Sequence, residues 1–146
     1  MIMRTHYHIG PERICYHGVV QRDTAQRRAI RRALEDAGRP LGALEVLESS
    51  RRGAPGLGIA TVYRALKALG AQGEVSTVEI PGEPPRYEAA GKGHHHHFLC
   101  ERCGKAYELG GCLGGLKGLL PRGFTLGGHE LLLHGRCAAC ARGRRS

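Results

Sequence analysis

Residues 59–69 read Ile59-Ala60-Thr61-Val62-Tyr63-Arg64-Ala65-Leu66-Lys67-Ala68-Leu69. Ile59, Val62, Tyr63, Leu66 and Leu69 recur at the spacing that gathers side chains on one face of an α-helix. Gly70 and Gly73 are expected to end that helix. Two more helices are predicted upstream. In the first, Ala29, Ile30, Ala33, Leu34 and Ala37 form an apolar stripe, with Asp23 or Thr24 as N-cap, Gly38 as the stop and Pro40 just beyond. Leu44, Val46 and Leu47 mark the second, over 42–50, and residues 49–56 read as a loop. Downstream, residues 74–80 and 86–89 read as short strands, joined by Pro81-Gly82-Glu83-Pro84-Pro85 into a hairpin. Three helices followed by a two-stranded hairpin is the order of a winged helix-turn-helix, with residues 59–69 as its recognition helix. From these residues alone, an unspecialised small α/β domain remains the alternative.

The charge balance points the same way. The 146 residues carry 22 Lys and Arg against 13 Asp and Glu, a net charge of +9. Such an excess favours polyanionic partners. Residues 86–146 hold 10 basic and 4 acidic side chains, against 12 and 9 in residues 1–85. Within the helical half, however, residues 22–32 carry Arg22, Arg27, Arg28, Arg31 and Arg32 against Asp23 alone. A hydrophobic content of 41% suffices for a modest core and does not fit a disordered or fibrous chain. No stretch approaches the roughly 18 apolar residues of a membrane span, so no membrane partner is expected. The opening residues MIMRTHYHIG contain no apolar run of a secretory signal. Six cysteines without such a signal fit metal chemistry in a reducing compartment, so the cytoplasm is the expected location.

The second half has its own character. Residues 91–93 form a hinge-like break, and strands are expected over 94–100, 105–109 and 130–134. Residues 112–120 read as a helix ended by Pro121, although Gly114, Gly115 and Gly118 each cost about 1 kcal/mol relative to alanine. Cys100-x-x-Cys103 and Cys137-x-x-Cys140 are two metal knuckles. Together they make a tetrahedral thiolate site for structural Zn2+, with no position left open for a substrate. The alternative, a redox pair, would more usually be single and sit at a βα turn. Cys15 and Cys112 fall outside the knuckles and read as small buried hydrophobes, Cys112 also being open to oxidation.

His94-His95-His96-His97 precede the first knuckle. On a strand, successive side chains alternate faces, so His94 and His96 point one way and His95 and His97 the other. One strand can thereby feed two separate metal sites. A solvated polar run is the plainer alternative. Imidazole suits Zn2+, Fe2+, Mn2+ or Ni2+, and Glu88, Glu108 and His129 are the nearest further donors.

In this order, Thr61-Val62-Tyr63-Arg64, the four histidines, Phe98-Leu99-Cys100-x-x-Cys103-Gly104-Lys105, His129 and Gly135-x-Cys137-x-x-Cys140 resemble the ferric uptake regulator family. Asp23-Thr24-Ala25-Gln26-Arg27 resembles its opening helix. The resemblance runs from about Arg22 to Cys140. It implies an α+β chain: an N-terminal extension over 1–20, a winged helix-turn-helix over 21–90, a hinge at 91–93, a small α/β metal-binding dimerisation domain over 94–141, and a basic tail over 142–146. It implies structural zinc on Cys100, Cys103, Cys137 and Cys140. It also implies a regulatory metal on Glu88, His95, His97 and Glu108, and an additional metal on His94, His96 and His129. Tyr63 resembles the base-reading residue, with Thr61, Arg64, Arg22 and Arg27 beside the DNA.

Two family features are missing. Gly38-Arg39-Pro40-Leu41 offers no histidine before the second helix, and no carboxylate stands near Gly114-Gly115. His6, His8 or His17 could supply the missing hinge ligand. The function so implied is a metal-responsive repressor of metal-uptake or stress genes. It would act as a homodimer on a palindromic operator in double-stranded DNA, sensing Fe2+, Mn2+ or Zn2+ and taking no small-molecule substrate. A zinc-ribbon interaction or storage protein is the alternative. A zinc hydrolase is a weaker one, because no HExxH, phosphate loop or nucleophile elbow is present.

Overall fold

A computed structural model describes residues 24–143. Arg22, the extension with His6, His8, Cys15 and His17, and residues 144–146 lie outside the described residues. Three helices come first: α1 (Ala25–Ala37), α2 (Ala43–Ser50) and α3 (Ile59–Ala71). The strands β1 (Val75–Val78) and β2 (Arg86–Ala89) follow, then β3 (His96–Cys100), β4 (Ala106–Leu109), β5 (Leu132–Gly135) and α4 (Ala138–Arg142). The chain is α+β, with a two-stranded sheet β1-β2 and a three-stranded sheet ordered β4-β3-β5.

Local chemistry sets the helix ends. Thr24 Oγ1 accepts the Arg27 N–H at 3.3 Å, satisfying a donor that the helix start leaves unpaired. Gly38 closes α1 at φ 59°, a left-handed conformation that costs glycine little. The Glu45 carboxylate reaches back to the Gly42 N–H at 3.0 Å and is held by Arg39 at 2.6 Å. The third helix overruns its expected end, passing Gly70 to finish at Ala71. Its buried face is Val62, Ala65, Leu66 and Leu69. Tyr63 is not on it: one residue is about 100° of helical turn, which leaves Tyr63 53% exposed.

The helical core contains Ile30, Val46, Val62 and Leu69, all at 0% exposure. Leu41 and Tyr87 exchange N–H···O bonds of 2.8 Å in both directions, which ties the segment between α1 and α2 to the hairpin. A second, smaller core joins hairpin to sheet: Val78 and Ile80 pack with Leu99 of β3, Ala106 of β4 and, at its edge, Leu132. Arg86 adds a 2.6 Å hydrogen bond to the Gly104 carbonyl.

β3 pairs antiparallel with β4 and parallel with β5. Gly135 leaves room for the Phe98 ring beside it, since a Cβ there would stand a tight 3.3 Å from that ring. Several expectations need correction. The helix expected over 112–120 reduces to one 3-10 turn, Leu116–Leu119, whose preceding Gly115 has φ 83° and cannot continue an α-helix. β3 begins at His96 rather than residue 94, and β5 is shifted to Leu132–Gly135. The five-residue α4, capped by Cys137, has too short an apolar pattern to be foreseen. Among the described residues, no helix is long and apolar enough to cross a membrane.

Ile30→Ala should lower the unfolding free energy by about 2–5 kcal/mol, because a fully buried branched side chain leaves a cavity. Leu44→Ala, at a side chain 71% exposed, should stay within about 0.5 kcal/mol. Chemical denaturation of the zinc-loaded protein measures both.

Candidate metal centres and DNA-facing helix

Cys100, at the end of β3, and Cys103 meet Cys137 and Cys140 at the start of α4, with ligand atoms within 4.8 Å of one another. Sulfurs bonded at about 2.3 Å to one tetrahedral ion lie about 3.8 Å apart. Cys103 Sγ and Cys137 Sγ are separated by 3.9 Å. The surroundings prepare the thiolate form. The Cys137 N–H donates to Cys100 Sγ at 3.3 Å. Backbone donors from Cys137 and then Cys103 bring the Cys100 thiol down to about 6. The Tyr107 hydroxyl also lowers Cys137. Cys140 moves the other way, up to about 12, through its hydrogen bond to Cys137 and its burial. Four sulfurs this close cannot all ionise without a cation among them, so the donor set fits Zn2+.

Glu88 on β2 meets His95 and His97. Its carboxylate is buried at 4% exposure, with Oε1 3.0 Å from His95 Nε2 and Oε2 3.6 Å from His97 Nε2. His95 Nδ1 lies 2.7 Å from the Gly93 carbonyl, an acceptor, so that nitrogen carries the proton. In the neutral ring, Nε2 then turns a lone pair toward the carboxylate, whereas a protonated ring donates to it. Glu88 Oε2 and His97 Nε2 are buried without hydrogen-bond partners among the described residues. A divalent cation among Glu88, His95 and His97 would satisfy these atoms together. Glu108 departs from expectation. It pairs with His97 in the sheet register, yet its carboxylate is clasped by Lys92 and does not join the ligand group. Lys92 also stands 3.7 Å from Glu88 Oε2. Where a histidine is missing before α2, Arg39 is engaged with Glu45.

His94, His96 and His129 form the other group, joined by Cys112. His129 Nε2 lies 3.3 Å from His94 Nε2, 3.2 Å from His96 Nε2 and 3.0 Å from Cys112 Sγ. The reading of Cys112 as a buried hydrophobe is therefore wrong: it is exposed, and its sulfur faces imidazoles. The signal that could have found it was a leftover cysteine two residues before the position lacking a carboxylate. Burial, then the neighbouring His94 and His129, holds His96 below the ordinary histidine range, which favours the neutral form that ligates metals.

On α3, Tyr63, Arg64 and Lys67 lie on the exposed face. Arg64 donates to Thr61 Oγ1 at 3.1 Å. Arg27 is buried rather than displayed on the helix surface. With Thr24, Thr61 and Arg64 it lines a groove between α1 and α3.

Comparison with known proteins gives one family. The profile of the ferric uptake regulator family matches residues 19–132. The ferric uptake regulation protein of Campylobacter jejuni is 37% identical over 87 residues, 58% of this chain and 55% of that protein. The match thus spans little more than half of that relative's length. The zinc uptake regulation protein of Mycobacterium tuberculosis is 30% identical over 122 residues, 82% of this chain and 94% of that protein. The solved structure of the Helicobacter pylori ferric uptake regulator, described as revealing three functional metal-binding sites, is 26% identical with a TM-score of 0.66. The match covers 84% of this chain and 83% of that one. With three metal-capable clusters behind a helical domain and a hairpin, this chain belongs to the ferric uptake regulator family.

Proposed function

We propose that the chain is a metal-responsive, DNA-binding transcriptional regulator, a repressor that acts as a homodimer on a palindromic operator. The observation that carries this reading is the convergence of Glu88 from the hairpin with His95 and His97 from the start of the β4-β3-β5 sheet. These ligands lie on either side of residues 91–93, where Gly91 has φ 83°. A divalent ion would supply the positive charge that a buried carboxylate and two lone pairs require. Holding Glu88 against both histidines fixes the hairpin against the sheet. Through the Leu41–Tyr87 pair it also fixes the helices, and α3 with them. In a dimer, two α3 helices set about 34 Å apart reach successive major grooves. Because the ligands favour one arrangement, metal and DNA binding strengthen each other reciprocally.

Tyr63 is the base-reading residue in this account, its ring suited to thymine methyls. Arg64, braced by Thr61, contacts phosphate, with Arg27 in the groove behind and Arg22 at a narrow minor groove. The four-cysteine site holds structural Zn2+, and the second half of the chain forms the dimer. A Glu and two His accept Fe2+, Mn2+ or Zn2+. The relatives named for iron and zinc uptake are consistent with that range.

Fluorescence anisotropy of a palindromic duplex, with the four-cysteine site kept zinc-filled, tests this reading. Added Fe2+, Mn2+ or Zn2+ should tighten binding by about tenfold or more by the population-shift mechanism, and Glu88→Gln should abolish the gain while leaving weak, salt-sensitive binding. Binding that ignores metal would contradict the reading. Tyr63→Ala should cost about 1–3 kcal/mol of discrimination between operator and random duplex. Arg64→Ala should weaken both and flatten the salt slope by about one.

A further inference from the structure

We propose that Cys112 is the fourth ligand of the His94, His96 and His129 group, and that its thiolate makes this second site select Zn2+ over Fe2+ and Mn2+. This assignment is independent of the DNA-binding reading, since it concerns donor atoms and not what the dimer grips.

Protons cannot be placed consistently in this cluster. A ring nitrogen has one bonding direction in its plane, filled by a proton or by a lone pair. His129 Nε2 has three close neighbours: His94 Nε2 at 3.3 Å, His96 Nε2 at 3.2 Å and Cys112 Sγ at 3.0 Å. No assignment of tautomers satisfies all three contacts. The His96 ring, only 3% exposed, has no partner for Nδ1 among the described residues, so its hydrogen-bond contact is made through Nε2, which faces the cluster. Nitrogens bonded at about 2.0–2.1 Å to one tetrahedral ion lie about 3.3–3.4 Å apart. The separations from His129 to His94 and His96 fall close to that spacing.

The fourth donor decides the metal. Three neutral imidazoles with a carboxylate or water accept Fe2+, Mn2+ and Zn2+ alike, whereas three imidazoles and one thiolate make a compact, softer set of three nitrogens and one sulfur suited to Zn2+. Cys112 reaches the cluster from a loop with glycines on both sides, of which Gly111 and Gly115 have φ 87° and 83°. Glu130 shares the opening with His94 but lies outside the ligand group. The two clusters fed by the histidine run therefore differ in kind: one holds oxygen and nitrogen, the other nitrogen and sulfur.

Cobalt reports the difference directly. The full chain, with Zn2+ already in its four-cysteine site, is titrated with Co2+ and followed by absorption. A near-ultraviolet sulfur-to-cobalt charge-transfer band should appear as the second site fills. The Glu88 group, which has no sulfur, cannot produce it. Cys112→Ser should abolish the band and weaken zinc binding at this site by about tenfold or more. Cys112→Asp should restore metal binding without the band and narrow the preference for Zn2+ over Mn2+. Peptide mapping after iodoacetamide supplies a readout on unmutated protein. Zn2+ should shield Cys112 from alkylation, and Mn2+ at equal concentration should not. An identical spectrum for wild type and Cys112→Ser would overturn the proposal. So would Cys112 alkylation that is indifferent to zinc.

Discussion

A β-strand sends successive side chains to opposite faces, and β3 turns that constraint into the organisation of this protein. On one face, His97 meets Glu88, and Leu99 packs against Val78 and Ile80 of the hairpin segment. On the other, His96 joins His129 and Cys112, and Phe98 lies beside Tyr107. Cys100, at the strand's end, opens the zinc knuckle. A slip of one residue would exchange the faces and disperse all three clusters. The register is pinned by β4 on one side and β5 on the other, and by the apolar contact of Leu99 across the junction.

The junction carries a buried carboxylate among donors that a divalent ion would complete. A carboxylate as buried as Glu88 is costly unless charge or hydrogen bonds compensate it. Lys92 offers partial compensation at 3.7 Å and is shared with Glu108. His95 and His97 complete the surroundings. The groups that bridge the hairpin and the sheet are therefore those whose interaction energy changes most when a divalent ion arrives. A conformational response to metal set here leaves the helical core of Ile30, Val46, Val62 and Leu69 apart, while the smaller core of Val78, Ile80, Leu99 and Ala106 spans the same junction and moves with it.

Much of this was legible in the sequence, for local physical reasons. Thr24 and Gly38 mark the ends of α1 by capping chemistry, and the paired knuckles declare their metal site by spacing alone. The histidine run sorts into two groups by strand periodicity even though His94 and His95 precede the strand proper. What was illegible depended on long-range contact. By periodicity Tyr63 looked like part of an apolar stripe, and the resemblance alone set it toward DNA; packed on α1 and α2, α3 leaves it 53% exposed. Arg27 read as surface charge until the helices closed over it. Glu108 has the expected register beside His97, and its carboxylate is paired with Lys92. Cys112 had no periodic neighbour to announce it, because a glycine-rich loop carries it to histidines 16 and more residues away.

The division of the histidines by β3 between two independent metal groups is open to direct measurement. Long-range proton–nitrogen NMR of the nine histidine rings follows it during Zn2+ titration of protein whose four-cysteine site is already filled. Two separable transitions are predicted: His95 and His97 shift together, and His94, His96 and His129 shift together at a different zinc level. A single transition moving all of these rings at once, or movement of none, would contradict it.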